Sequence, residues 1–341
     1  DNSTVLGYTL VGRAGKLTTQ NNTILSAVGI TEAVEMTSTN TIMKDVVNYG
    51  DFVSVNSTMD SLFTGGMGSA TVQSSKITGE LDVESYVELD ATTVGGKTTL
   101  TDSYATLLVK NNSKLSDVEN TGVFTATDST LESLSNTDGT ATLTSTQVNG
   151  SLAITGGDVD LNGSIINGKT TVGTSGTLLA TNNTSLSAVE NAGTLDAKNA
   201  TMQGLTNSGD LTVQGGSLAS LANTGGIANL TSTQITGALG ITGGDVALED
   251  AVVSGKTTVA TGTDLTADRT GFSDVIVSGN FTATDSTITG LTNEMGSVTL
   301  TDTIVNGLVS TQGKVNLAGD IQLTGGVSGT GSITNSGNLI L

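Results

Sequence analysis

Cysteine, histidine, proline and tryptophan are all missing from this chain. Without cysteine there is no disulfide framework, no thiolate zinc site and no thiol nucleophile. Without histidine the commonest general base is gone before any site is sought. Aromatic residues make up 3% of the sequence, too few for a compact aromatic core. Basic residues are also scarce: 12 against 32 acidic ones, a net charge of −20, with arginine only at Arg13 and Arg269. Phosphate backbones and anionic membranes are held by clustered Lys and Arg, so nucleic acid and membrane surfaces are poor partners, as are sulfated polysaccharides. No apolar run approaches the roughly 18 residues of a membrane span, so no membrane insertion of this segment is expected. The chain opens on the polar Asp1-Asn2-Ser3-Thr4 and its pattern continues to Leu341 without a polar cap. It therefore reads as a mature or excised segment.

What the chain does have is Gly, at 45 residues, with Ser, Thr and Asn filling most of the remainder and short apolar pairs of Leu, Val, Ile and Ala. So polar a composition suits disorder, but disordered tracts do not keep a strand period over hundreds of residues. The segment Ser129 to Val148 holds one full copy of a unit, h-x-x-L-x-N-x-G-x-h-x-h-x-x-[DN]-x-x-h, in which h is apolar. The opening apolar residue falls at Ile24, Ile42, Met59, Ile77, Val94, Leu115, Leu131, Val148, Ile166, Leu186, Met202, Leu218, Ile235, Val253, Phe272, Ile288, Val305 and Leu323. Spacings of 16 to 21 residues, held over so many copies, mean one stacked coil whose units bury their apolar sides against neighbours. Larger blocks are duplicated as well: Thr144–Val159 returns as Thr231–Val246, and Phe124–Thr130 as Phe281–Thr287.

Periodicity sets the structure of each unit. Leu-x-Asn, as in Leu134/Asn136 or Leu205/Asn207, puts an apolar residue and an amide on one strand face. A glycine follows for a tight turn. A second short inward strand comes next, as at Leu211/Val213 and Val298/Leu300, and then an Asp or Asn suited to a left-handed corner. Short strands joined by such corners predict an all-β fold, a three-sided parallel β-helix (solenoid) of about 17 coils. At about 4.8 Å per coil that is a rod on the order of 80 Å. Residues 1–20 are expected to be an irregular first coil or cap, and residues 21–341 the repeat domain.

Several residue sets carry a functional question. The inward amides Asn48, Asn120, Asn136, Asn191, Asn207, Asn223 and Asn293 are read as a structural ladder. The corner column, three residues before each marker, includes Asn21, Asn56, Asn112, Asp128, Asn183, Asn199, Asp250, Asp285 and Asp302. Turn chemistry accounts for it, yet a solenoid corner is also exposed, so Asn56, Asn112, Asp128, Asn183, Asn199, Asp250, Asp285 and Asp302 are the candidate partner-binding stripe. Gly156-Gly157-Asp158 and Gly243-Gly244-Asp245 are read as plain turns rather than calcium repeats, since the fuller G-G-x-G-x-D pattern is missing. Gly-Lys-Thr-Thr, at 96–99, 168–171 and 255–258, lacks the upstream glycines of a phosphate loop and is expected to mark bulged coils. Asp264, Asp268 and Arg269 form the one compact catalytic candidate, with no second pair of acids evidently stacked beside them. No catalytic residue, metal ligand or cofactor is assigned.

The unit h-x-x-L-x-N-x-G-x-h-x-h, free of Cys and rich in Thr, Ser, Asn and Gly, resembles passenger domains of bacterial autotransporters. The stretch Gly329-Thr330-Gly331-Ser332-Ile333-Thr334-Asn335-Ser336-Gly337 is similar to the G-x-G-S-h-x-x-x-G stretch towards the end of such passengers. The self-associating adhesins of the antigen 43 and diffuse-adherence type are the nearest group. The resemblance implies that the three-sided parallel β-helix is right-handed, and it implies type V secretion and display at the outer membrane through a C-terminal barrel outside this chain. It also implies cell–cell aggregation and biofilm formation through passenger–passenger contact. The expected partner is thus another copy of the chain, with Lys97, Lys110, Lys114, Lys169 and Lys198 meeting acidic corners to offset like-charge repulsion. Two other readings stand beside it: an adhesin for a host matrix protein or glycan, and a polysaccharide lyase or hydrolase on the same scaffold.

Overall fold

A computed structural model describes residues 2–12 and 15–341; Arg13 lies outside the described residues. Every regular element among them is a strand and every pairing is parallel, so the fold is a parallel β-solenoid of about 19 turns. The marker count gave about 17, because it omitted coils whose apolar markers are irregular. Thr4–Val11 pairs with Ile24–Ile30 across a bulge, and Lys16–Thr19 pairs with Glu35–Thr39. Near the other end Val327–Gly329, Ser332–Asn335 and Asn338–Ile340 also take coil positions. The chain divides into two compact units, residues 1–170 with 175–177, and residues 171–174 with 178–341.

In the first unit a typical coil is Thr130–Asn136 followed by Thr140–Thr144. Leu131, Leu134, Asn136, Ala141 and Leu143 are all buried, while the other residues of the two strands are exposed or half-buried. The step of three between Leu131 and Leu134 breaks strict alternation, so this one strand bends and serves two sides of the coil. The five-residue strand Thr140–Thr144 is the third side. In the second unit Thr201–Asn207 and Asp210–Gln214 repeat the arrangement, with Met202, Leu205, Asn207, Leu211 and Val213 inward. The core of each unit is therefore a narrow file of apolar rows running across coils, mostly Leu, Val, Ile and Ala with Met and Phe at some positions.

Two of the expected markers are displaced. Ile24 and Ile42 face solvent at 40% and 52% exposure, and the inward residues are Leu25 and Met43. The pairing Leu25–Met43–Met59 fixes this register. Because a strand's two faces alternate with period 2, a one-residue slip moves a side chain from core to solvent. Both sites carry two adjacent apolar residues, and alternation alone does not say which one goes in.

The Gly-Lys-Thr-Thr segments fall where the bent strand is interrupted by a loop. Around Gly96 the bent strand is split into Thr93–Val94 and Thr98–Leu100, and the loop between them stacks on the equivalent loop at Gly79. A Cβ on Gly96 would lie 2.4 Å from the Gly79 carbonyl carbon. Only glycine permits the two backbones to approach so closely.

Candidate functional site

All eight residues of the predicted corner stripe occupy the left-handed region, with φ between 48° and 64°, and all are exposed. Asn and Asp enter this conformation at low cost because their short polar side chains bond locally. The ladder continues through the corners: the Asn56 N–H donates to Gln73 O at 3.0 Å, and the Asp285 N–H to Thr301 O at 3.1 Å. The column also holds residues that the Asp/Asn pattern did not mark. Asn40, Ser74, Ala91 and Ser145 in the first unit, and Ser232 and Arg269 in the second, are left-handed corners as well. Register against the buried strands would have found them, since each sits at the same point of its coil.

Just inside the corner lies a second column that was not singled out as a support. Ser57, Ser75, Thr92 and Ser113 in the first unit, and Thr270, Ser286 and Thr303 in the second, are buried. The Ser57 hydroxyl donates to Val55 O at 2.9 Å and accepts the Thr41 N–H at 3.1 Å. The Ser57 N–H in turn meets Ser75 Oγ at 3.0 Å, and Thr270 N–H meets Ser286 Oγ at 3.1 Å. These hydroxyls satisfy the backbone donors that the left-handed corner removes from the ladder.

The stripe is only partly free. Among the described residues the side chains of Asn56, Asn112, Asp128, Asn183, Asn199 and Asp285 make no hydrogen bond within the chain. Asp302 Oδ1 accepts the Asp320 N–H at 2.8 Å. Asp250 is clamped by Arg269, whose Nε lies 2.7 Å from Asp250 Oδ1. Arg269 also reaches Glu249 Oε1 at 2.7 Å and the Asp268 carboxylate. Its hydrogen bond holds the Asp250 carboxyl below the ordinary Asp range, against a smaller opposing effect of burial.

The inward amides form ladders where they are adjacent. Asn191 Nδ2 donates to Asn207 Oδ1 at 2.8 Å, and Asn207 Nδ2 to Asn223 Oδ1 at 2.7 Å. Each amide also secures a turn: Asn48 Nδ2 reaches Ser69 O, and Asn293 Nδ2 reaches Gly296 O and Lys314 O. All seven are buried, which leaves them unable to meet a partner.

Around the compact acid–arginine set the structure corrects the sequence reading. Asp245 pairs in register with Asp264, and Glu249 with Asp268, so two pairs of acids are stacked on adjoining coils. A parallel register aligns residues 19 apart in sequence here, and spacing alone did not align them because this coil is longer than its neighbours. Glu249 and Asp268 line a groove of about 520 Å³ with Asn229, Thr231, Ala247, Thr266 and Thr282, and Asp245 and Asp264 line an adjoining hollow of about 180 Å³. Asn280 Nδ2 holds Asp264 Oδ1 at 2.7 Å. Among the described residues no set of three or more acidic side chains converges as a metal site would require.

The lysines expected to bridge copies are in part engaged at home. Lys97 pairs with Glu119 at 2.7 Å, Lys110 with Glu88 at 2.5 Å and Lys198 with Asp196 at 3.5 Å. The fold and its surface define a parallel β-solenoid protein with repeated polar corner rows. No protein-family model matches the sequence, and a search of curated proteins found no match.

Proposed function

We propose that the chain is an autotransporter adhesin passenger, displayed on a bacterial surface, that joins cells by association between copies of itself. The observation behind this reading is the corner column: in each unit many coils turn on an exposed Asn or Asp, and most of the predicted members are unbonded internally. Two stripes lying antiparallel place amides, which both donate and accept, opposite carboxylates and amides. Each exchange contributes only about 0.5–1.5 kcal/mol, but a tethered ladder sums many of them. A net charge of −20 on each copy opposes the contact. Surface pairs such as Lys97–Glu119 contribute about 0–1 kcal/mol, so their lysines can change partners at small cost.

The test uses cells displaying the chain, mixed with differently labelled bare cells. Displaying cells should clump with each other and exclude bare cells, and clumping should vary strongly with ionic strength. Alanine at Asn56, Asn112, Asn183 and Asn199 together should suppress it. Aggregation indifferent to both salt and these substitutions would remove the proposal.

A second reading is supported by the cleft of two adjoining hollows, one holding the stacked Glu249/Asp268 pair and the other Asp245/Asp264. A polysaccharide strand laid across it would meet paired carboxylates, as glycan-cleaving sites require. Release of reducing ends or unsaturated sugars from acidic glycans, assayed with and without calcium, separates this reading from the first.

A further inference from the structure

On the middle side of the first unit's coils the outward row is apolar over four successive coils and polar afterwards. Leu10, Gly29, Val47 and Phe63 stand in register, and the row then continues as Asp82, Thr99 and Glu119. Tyr8 lies over Gly29, where a Cβ would fall 1.9 Å from the Tyr8 hydroxyl oxygen. Tyr49 meets Phe63 edge to face, with ring centres 5.6 Å apart. The turn Gly65–Gly66 packs on these two rings, and at its tip Met67 is 89% exposed. All four tyrosines of the chain fall between residues 8 and 104. Apolar side chains such as Val123, Ile165 and Val252 are exposed elsewhere on the chain, but a contiguous apolar and aromatic strip marks a contact site where scattered residues do not.

The charges beside the strip specify its occupant. Glu84 Oε2 lies 3.0 Å from where a Cβ on Gly65 would be, and Glu32 Oε1 lies 4.0 Å from the same point on Gly66. The two carboxylates therefore flank the ring pair, and among the described residues neither meets a lysine or arginine. A second copy would bring more negative charge to a chain already at −20. A cationic side chain gains from both features, stacking on the rings and pairing with the carboxylates. A guanidinium suits this better than an ammonium, because it is planar, stacks on aromatic faces and bonds carboxylates through two donors. We infer that the strip around Tyr49 and Phe63 docks an arginine-bearing polypeptide segment, held between Glu32 and Glu84. This site lies on a different side of the coil from the corner stripe and does not rest on self-association.

The experiment measures binding of a fluorescein-labelled oligo-arginine peptide to the purified chain by anisotropy, with maltoheptaose as a neutral glycan competitor. Phe63→Thr with Tyr49→Ser removes the rings, and threonine already occupies the same row at Thr99. Glu32→Gln with Glu84→Gln removes the flanking charges. Asp285→Asn with Asp302→Asn removes equal charge from the second unit. Either strip variant should weaken peptide binding roughly tenfold or more, and the control by less than about twofold. Should the ring variant misfold by circular dichroism, Met67→Gln at the exposed tip replaces it and should weaken binding at least about threefold. Equal weakening by all variants would mean diffuse charge attraction and overturn the site. Displacement of the peptide by maltoheptaose would overturn the polypeptide assignment in favour of a glycan.

Discussion

The side-chain amide of Asn120 donates to Asn136 Oδ1 at 2.6 Å, and both residues are wholly buried. Asn136 Nδ2 passes the bonding on to Gly139 O at 2.7 Å and Gly156 O at 2.9 Å. One amide thus ties its own turn to the turns on either side. Asn136→Ala strips one of the two N–H groups on Asn120 Nδ2 of its acceptor, although the other still reaches Thr140 O, and takes a donor from Gly156 O, so it should lower stability by about 1–3 kcal/mol, read as a lower urea midpoint. A loss under about 0.5 kcal/mol would show that water takes over the amide's role.

Thr98, Thr170 and Thr257 open the inward row of the three Gly-Lys-Thr-Thr coils, and their buried hydroxyl oxygens have no partner. Leu81 and Val118 flank Thr98 in the same row. Thr98→Val and Thr257→Val keep the shape and drop an unmet polar atom, so each should stabilise by about 0.5–1 kcal/mol in thermal melts. Destabilisation by either would mean that the hydroxyl bonds to something the chain itself does not supply.

Ala91 is a left-handed corner at φ 50° with no side-chain oxygen to offset the strain. Ala91→Asn should raise stability by about 0.5–1 kcal/mol and extend the corner stripe by one member. The check is a paired denaturant titration of the two proteins.

Two carboxyls should give opposite pH slopes. Arg269 depresses Asp250, so its contribution is present above the ordinary value of 3.8 and is lost as pH falls through the lower folded value. Arg269→Gln should flatten that acid limb. Burial, and then the neighbouring Glu80, raise Asp82 above 3.8, so stability is lost as pH rises through its folded value. Asp82→Asn should therefore melt higher than the parent at neutral pH and match it below 3.8. Melting temperatures between roughly pH 3 and 7 decide both.

Much of the scaffold was legible because the repeat states its own geometry. Leu134-x-Asn136 gives a strand face, the glycine three residues after Asn136 a turn, and Asp128 a left-handed corner, and each stands where expected. The displaced markers at Ile24 and Ile42 came from apolar doublets, where only pairing with Met59 chooses the inward residue. The stacked acids of the groove were hidden for another reason: which residues lie opposite depends on coil length, and the Gly255 coil is one of the long ones. The ring strip in the first unit was invisible to repeat averaging, since it departs from the consensus only over residues 8 to 67. Corner membership was likewise hidden at Ala91 and Arg269, which side-chain preference alone does not select.

The corner also tolerates a change in chain length. At Asn111–Asn112 and Asn182–Asn183 two left-handed residues stand where other coils have one. The following hydroxyl still reaches the strand end, with Ser113 donating to Lys110 O at 2.7 Å over three residues where Ser57 spans two to Val55 O. An added residue here loops outward and leaves every neighbouring side chain facing the way it did before. Such a seam accommodates a longer or shorter turn without disturbing the stack, whereas one residue gained inside a strand would turn the core inside out.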